Sequence, residues 1–103
     1  MSYKVVIQEA ARLDIRSIIE YISNDFNEPL VAEKLVRCIA DRINRLTDYP
    51  KRNKRLNDEP FYSKGYRVTY VKNYAIFYYV DDKLNTVNVM HILYNRREWQ
   101  DLL

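Results

Sequence analysis

Apolar side chains recur with two different spacings along the first half of the chain, and these spacings predict its elements. Residues 3–8 alternate and are rich in β-branched side chains, which predicts a half-buried strand. Residues 8–24 and 29–49 instead carry apolar side chains every three or four positions, which predicts two amphipathic helices. Pro29 suits the first turn of the second helix, and Pro50 ends it. The predicted inward positions are Ala11, Ile15, Ile18, Ile19 and Ile22, then Ala32, Leu35, Val36, Ile39, Ile43 and Leu46.

The second half of the chain predicts a sheet. Residues 51–64 are polar and irregular and are predicted to form a connecting loop. Three strand-like runs follow at 66–71, 74–80 and 86–94, and their short connections predict an antiparallel meander. The closing segment, residues 95–103, fits a short helical turn or an extended chain.

These elements predict a single α+β domain over residues 1–103, since 103 residues bury one core but not two. Two helices joined by about four residues must form an antiparallel hairpin. We expect the hairpin to pack on one face of a twisted antiparallel sheet of about four strands. The opposite face of the sheet is then expected to be uncovered and to serve as the working surface.

Composition limits the classes of function only weakly. The net charge of +3 and the pI near 9.0 indicate a mild preference for anionic partners. Cys38 is the only cysteine, so we expect no disulfide, no cysteine-based metal site and a reducing compartment. No apolar run is long enough for a signal peptide or a membrane span, so a cytoplasmic protein without a membrane partner is expected.

Several short motifs occur in a fixed order along the predicted elements, which run strand, helix, helix, then three strands. The motifs are Ala10-Ala11-Arg12-Leu13-Asp14-Ile15 with Tyr21-Ile22, Leu46 to Pro50, Gly65-Tyr66-Arg67-Val68, Tyr74-Ala75-Ile76-Phe77-Tyr78-Tyr79-Val80, and His91-Ile92-Leu93-Tyr94-Asn95-Arg96-Arg97-Glu98. Together, in this order and at these distances, they resemble the RelE/ParE toxin superfamily over nearly the whole chain.

This resemblance implies a growth-inhibiting toxin of a type II toxin-antitoxin system. It implies a hetero-oligomer with a cognate antitoxin, whose acidic and apolar C-terminal segment wraps the toxin, and it implies no cofactor and no metal. RelE-like members of the superfamily cut messenger RNA on the ribosome, whereas ParE-like members poison DNA gyrase. A non-toxic RNA-binding module is a third possibility.

The candidate catalytic residues apply only if the protein is a metal-independent ribonuclease. Cleavage through the 2'-hydroxyl requires a proton acceptor, a proton donor and cations at the transition state. By resemblance, Arg67 and Arg97 match two basic positions of RelE-like nucleases. Thr69 and Ala75 stand where those nucleases carry a lysine and an arginine. The missing cations favour gyrase over messenger RNA as the target.

The last nuclease position, a C-terminal tyrosine, falls near Leu103, which cannot titrate. Tyr94 could replace that tyrosine only if it faces the same surface as the arginines. For Arg67, a side chain that pairs with the antitoxin or with a carboxylate at the edge of the core is favoured over a catalytic role.

Other basic residues are candidate binding positions. Lys51, Arg52, Lys54 and Arg55 form the densest basic run and, with Arg96, could contact RNA, although a solvated loop is an equal alternative. The outward arginines of the second helix, Arg37, Arg42 and Arg45, are predicted to contact the antitoxin.

The single histidine, His91, lies in the last predicted strand. Simple alternation places it with Val87, Val89 and Leu93, and no partner carboxylate can be identified from the sequence. We therefore expect a core-facing or edge histidine and no general base.

Overall fold

The computed structural model describes residues 2–94 and begins with the predicted strand, β1 (Lys4–Ile7), followed by helix α1 (Glu9–Glu20). The end of the predicted helix is wider than an α-helix, because Tyr21–Asp25 form a π-helical turn. In this turn the Phe26 amide donates to the Tyr21 carbonyl at 3.3 Å. The two rings consequently meet edge to face, with centroids 4.9 Å apart.

Helix α2 (Pro29–Asn44) begins at the predicted proline but ends five residues before Tyr49, the predicted end. A short 3₁₀ turn, Arg45–Thr47, follows it. The reason for the early end is tertiary: the Tyr3 amide donates to the Thr47 carbonyl at 2.8 Å, and Ser2 forms a bridge with Asp48. Backbone groups that would have continued the helix therefore pair with the start of the chain.

The remaining strands are β2 (Arg67–Val71), β3 (Tyr74–Asp81) and β4 (Thr86–Tyr94), and they form the predicted antiparallel meander. The four-stranded sheet has the order β1-β4-β3-β2. It is mixed and not entirely antiparallel as expected, because β1 pairs with β4 in parallel. No short turn joins these two strands, so turn geometry does not fix their relative direction.

One face of the sheet packs against the helical hairpin, as predicted. This main core contains residues from both helices and from the inward positions of the strands. Its members include Ala11, Leu35, Ile39, Ile43, Ile76, Tyr78, Val87, Val89 and Ile92.

The opposite face is not uncovered, which corrects the expectation of a free working surface. The segment predicted as a plain connecting loop contains a 3₁₀ turn, Pro50–Arg52, and a one-turn helix, α3 (Phe61–Lys64). Phe61 packs there on Ala75 and Phe77, which are both 0 % exposed, to form a second core. The sequence did not predict this core because the segment has too few apolar residues to give a periodic pattern. A single large side chain such as Phe61 can nevertheless bury substantial area.

A bulge in β4 also changes which residues face the hairpin. Phe77 pairs with His91 while Tyr78 pairs with Val89, so Met90 is an extra residue in β4.

Beyond the bulge, the alternation that the sequence suggested is inverted. Ile92 joins the main core and Leu93 packs on the second face, so the predicted grouping of Leu93 with Val87 and Val89 is wrong. Within residues 2–94, no helix is long and apolar enough to cross a membrane.

Candidate functional site

A concave surface lies where the hairpin meets the start of β3 and the end of β4. We call it the hairpin groove; its volume is about 1140 Å³. The π-helical turn forms one wall, and the first half of α2 forms another. Large apolar side chains at the groove are exposed to solvent, among them Tyr21 (51 %), Phe26 (60 %), Val31 and Tyr94. Contiguous exposed apolar surface of this kind marks an interaction site.

The charged residues of the groove are mixed, with a small excess of cations. Lys34, Arg37 and Lys72 are basic, and Asp14 and Glu28 are acidic. A partner that combines apolar side chains with a few carboxylates would complement this lining.

Asp14 also supplies the histidine partner that the sequence did not reveal. Its Oδ2 lies 3.1 Å from Nδ1 of His91 and accepts a hydrogen bond from the Ile92 amide at 3.0 Å. Strand β1 ends opposite Val89 and does not reach the Ile92 amide, so the Asp14 carboxylate takes the place of a strand partner for that amide. The contact joins residues more than 70 positions apart in the sequence, which is why spacing alone could not identify it.

Arg67, a candidate catalytic residue, is engaged in a structural network. Its Nη1 donates to the carbonyl oxygens of Asn53 at 2.7 Å and Lys51 at 3.3 Å. The Tyr78 hydroxyl donates to the Pro50 carbonyl at 2.6 Å and accepts from Nδ2 of Asn53 at 3.0 Å. These bonds fix residues 50–53 on the edge of the sheet.

Burial in this network raises the pKa of the Tyr78 hydroxyl, and the Asn53 hydrogen bond and the nearby Arg67 and Arg52 charges offset only part of that rise. The hydroxyl is therefore protonated and able to donate throughout the neutral range.

The structure does not bring Arg67 and Tyr94 together. Arg67 pairs with Tyr78 and Tyr94 pairs with Tyr74, and these two partners are four positions apart along β3. At about 3.3 Å per residue, this places Arg67 and Tyr94 roughly 13 Å apart along the strand direction. Ala75 lies buried in the second core, and Arg97 lies outside the described residues.

The residues of the predicted RNA-binding run contact different parts of the protein itself. Nζ of Lys51 pairs with Asp82 at 2.8 Å, and Arg52 donates to the Tyr49 and Asp48 carbonyls.

The other members of this run, Arg55 and Lys54, differ in what surrounds them. The Arg55 guanidinium lies 4.3 Å from the centre of the Tyr62 ring, and one of its nitrogens donates to the Tyr62 carbonyl at 2.6 Å. Lys54 is exposed, and Arg96 lies outside the described residues.

The three arginines predicted to bind the antitoxin do not share one surface. Arg37 pairs with Glu33 one turn earlier and borders the hairpin groove. Arg45 pairs with Asp41 at 3.4 Å, and both Arg42 and Arg45 line a separate small hollow.

Sequence reasoning missed the hairpin groove itself. A signal was available, because Tyr21, Phe26 and Val31 are large apolar residues outside the predicted inward stripes of the helices. These residues form one exposed cluster because of the geometry of the π-helical turn between the two helices. The apolar stripes of the helices do not specify that geometry.

The comparisons with known proteins agree with this fold. Residues 5–99 match the family described as the ParE toxin of the type II toxin-antitoxin system, parDE. The chain therefore belongs to the ParE toxin family of type II toxin-antitoxin systems. No protein with a curated description matches the sequence significantly.

Solved structures show the same fold. The chromosomal ParDE toxin-antitoxin system of Pseudomonas aeruginosa aligns with a TM-score of 0.75 at 15 % identity, covering 92 % of this chain and 98 % of that chain. The RelBE2 toxin-antitoxin complex of Mycobacterium tuberculosis aligns with a TM-score of 0.62 at 20 % identity, covering 91 % and 99 %. A free mutant of the Escherichia coli toxin RelE aligns with a TM-score of 0.63 at 17 % identity, covering 96 % and 90 %.

Proposed function

We propose that this toxin acts on DNA gyrase and that a cognate antitoxin neutralises it by binding the hairpin groove. The observation that carries the choice of target is the setting of Arg67. Its guanidinium holds two backbone carbonyls in place, which gives the side chain a structural role without any reacting phosphate.

The other positions of the nuclease arrangement support the same choice. Ala75 is fully buried, so no side chain there reaches a substrate, and Thr69 carries no charge. Tyr94 lies roughly 13 Å from Arg67 along the strand direction. Each missing acid, base or cation lowers the rate of such a reaction by a factor of roughly 10² or more, so messenger cleavage is expected to be slow or absent.

Two assays on the purified toxin separate the targets. We expect it to inhibit DNA supercoiling by gyrase and to leave ribosome-bound messenger RNA intact. The alternative, a ribosome-dependent endoribonuclease, makes the opposite prediction in both assays. Cleavage of the messenger at defined codons, abolished in Arg67→Ala with fold and antitoxin binding retained, would show that the gyrase assignment is wrong.

Growth assays test the toxin function itself and the third possibility, a non-toxic RNA-binding module. Induction of the toxin alone should arrest growth, and coexpression of the antitoxin should restore it. Normal growth despite abundant folded protein, together with salt-dependent RNA binding, would favour the RNA-binding module.

Binding of the antitoxin in the groove is supported by exposed apolar surface and by the charges beside it. Tyr21, Phe26 and Val31 offer a place for apolar side chains, and Lys34 and Arg37 offer charges to carboxylates. An acidic and apolar antitoxin segment satisfies both requirements.

The groove can be tested with one matched pair of substitutions. Phe26→Ala removes an apolar side chain of the groove that is 60 % exposed, whereas Leu84→Ala removes one that is 72 % exposed in the β3–β4 turn. Covering the Phe26 ring should contribute about 1.5 kcal/mol, so Phe26→Ala should weaken antitoxin binding roughly tenfold. Leu84→Ala should leave the Kd unchanged.

Two outcomes would contradict this placement. Equal Kd values for the two variants would move the antitoxin to another surface. A loss of thermal stability in Phe26→Ala without a change in Kd would indicate that the ring only supports the π-helical turn through its contact with Tyr21.

A further inference from the structure

A second concave site, small and strongly basic, lies where the end of α2 meets residues 52–53 and β2. It has a volume of about 60 Å³ and is lined by Arg42, Arg45, Leu46, Arg52, Asn53 and Thr69. The sequence analysis predicted antitoxin binding for Arg42 and Arg45 and RNA binding for Arg52. We call this site the arginine hollow.

The positive charges of the arginine hollow are poorly compensated. Arg45 has only an exposed contact with Asp41, at 3.4 Å, and Arg52 donates to backbone carbonyls. Arg42 has no ion pair or side-chain hydrogen bond within residues 2–94. None of the lining residues is a carboxylate. Like charges that converge without a counter-ion repel one another, and a bound anion would relieve this repulsion.

Thr69 adds a neutral donor to the same site. Thr69 is 4 % exposed, it faces the hairpin side of the sheet, and its hydroxyl makes no hydrogen bond to the described part of the chain. No fully buried side-chain oxygen or nitrogen of residues 2–94 lacks a partner, so this hydroxyl is open to the hollow and can donate to a ligand there.

We propose that the arginine hollow binds a phosphate group. Guanidinium groups bind phosphate oxygens in pairs, and a hydroxyl can donate to one further oxygen. Three arginines and a threonine provide more donors than the two oxygens of a carboxylate accept. A volume of about 60 Å³ exceeds the roughly 10–15 Å³ needed for one water, and it suits a small oxyanion.

Arg52 is already oriented for this role. Its Nε and one Nη donate to the carbonyls of Tyr49 and Asp48, so the guanidinium needs little reordering when the ligand arrives. The proposal does not depend on gyrase being the target, because it rests only on the lining of the hollow.

Calorimetric titration of the full chain with inorganic phosphate, at constant ionic strength, tests the site. We expect saturable binding to one site. Thr69→Val keeps the side-chain shape and removes the hydroxyl, and Arg42→Gln removes one charge. Each should weaken phosphate binding roughly tenfold or more.

Arg37→Gln is the matched control, because it removes the same charge from the same helix outside the hollow and should leave the phosphate Kd unchanged. Thermal melting of each variant verifies that it is folded. Absence of saturable binding, or wild-type affinity in Thr69→Val and Arg42→Gln, would overturn the proposal.

A second arm identifies the source of the phosphate group. A short single-stranded oligonucleotide that competes with inorganic phosphate, and that binds Arg42→Gln more weakly than Arg37→Gln, would identify a nucleic-acid phosphate. Binding of inorganic phosphate without competition would identify the free ion, and either result supports the site.

Discussion

The Tyr78 hydroxyl offers the sharpest test of how residues 50–53 are held on the sheet. Tyr78→Phe removes one oxygen and leaves the ring in the main core. The Pro50 carbonyl then loses its donor at 2.6 Å, and Nδ2 of Asn53 loses its acceptor at 3.0 Å. Tyr78 and Pro50 are fully buried, so water cannot easily replace the first of these bonds.

The expected loss of stability follows from those two bonds. A buried polar group left without a partner costs about 1–3 kcal/mol. Asn53 is only half-buried and can turn to water, so we expect a total near 2 kcal/mol. For a domain of this size, that corresponds to a decrease in Tm of roughly 8–16 °C.

The difference in unfolding free energy between the wild type and Tyr78→Phe should depend on pH. Burial raises the pKa of Tyr78, so the folded state favours the protonated hydroxyl. Its contribution is complete below the unfolded-state pKa of about 10 and is lost as pH rises toward the folded-state value. The stability gap measured at pH 7 should therefore narrow above pH 10.

Urea denaturation at pH 7 and at pH 10.5 measures both effects, with Tyr70→Phe as the control. Tyr70 lies exposed on β2, so loss of its hydroxyl should change the unfolding free energy by less than about 0.5 kcal/mol. If Tyr78→Phe is as stable as Tyr70→Phe at pH 7, the hydroxyl does not anchor residues 50–53, and the reasoning is wrong.

The remaining predictions concern neighbouring polar contacts. The hydrogen bond from Lys51 holds the pKa of Asp82 below its ordinary value, so this ion pair stabilises the fold at neutral pH and is lost as pH falls through that lowered pKa. Lys51→Gln should raise the pKa of Asp82 in an NMR titration, and an unchanged pKa would remove Lys51 as the cause. Arg67→Ala should lower the Tm, and its toxicity should fall in parallel with that of Tyr78→Phe. Loss of toxicity with an unchanged Tm would instead point to direct contact between Arg67 and the target.

Much of the architecture could be predicted because local patterns sufficed for it. The helical stripes of α1 and α2 identify their buried faces, and the short turns before β3 and β4 allow only antiparallel pairing. These features depend on residues close together in the chain, where backbone geometry leaves few alternatives.

The candidate site was less predictable. Arg37 was correctly singled out as an outward cation of α2, but its place beside the hairpin groove depends on the π-helical turn 12 or more positions away. Arg42 and Arg52 belonged to separate predictions, and only the return of residues 50–53 to the sheet brings them together.

Local patterns in the chain were enough to predict the α+β class, the order of the elements and the family resemblance, because each is encoded in periodicity or in short motifs. The parallel pairing of β1 with β4, the covering of the second face by Leu56 and Phe61, and the contact of Asp14 with His91 could be read only from the folded chain. Each of these depends on contacts between distant segments. Their formation reflects the area buried and the hydrogen bonds satisfied in the whole fold, which no local pattern specifies.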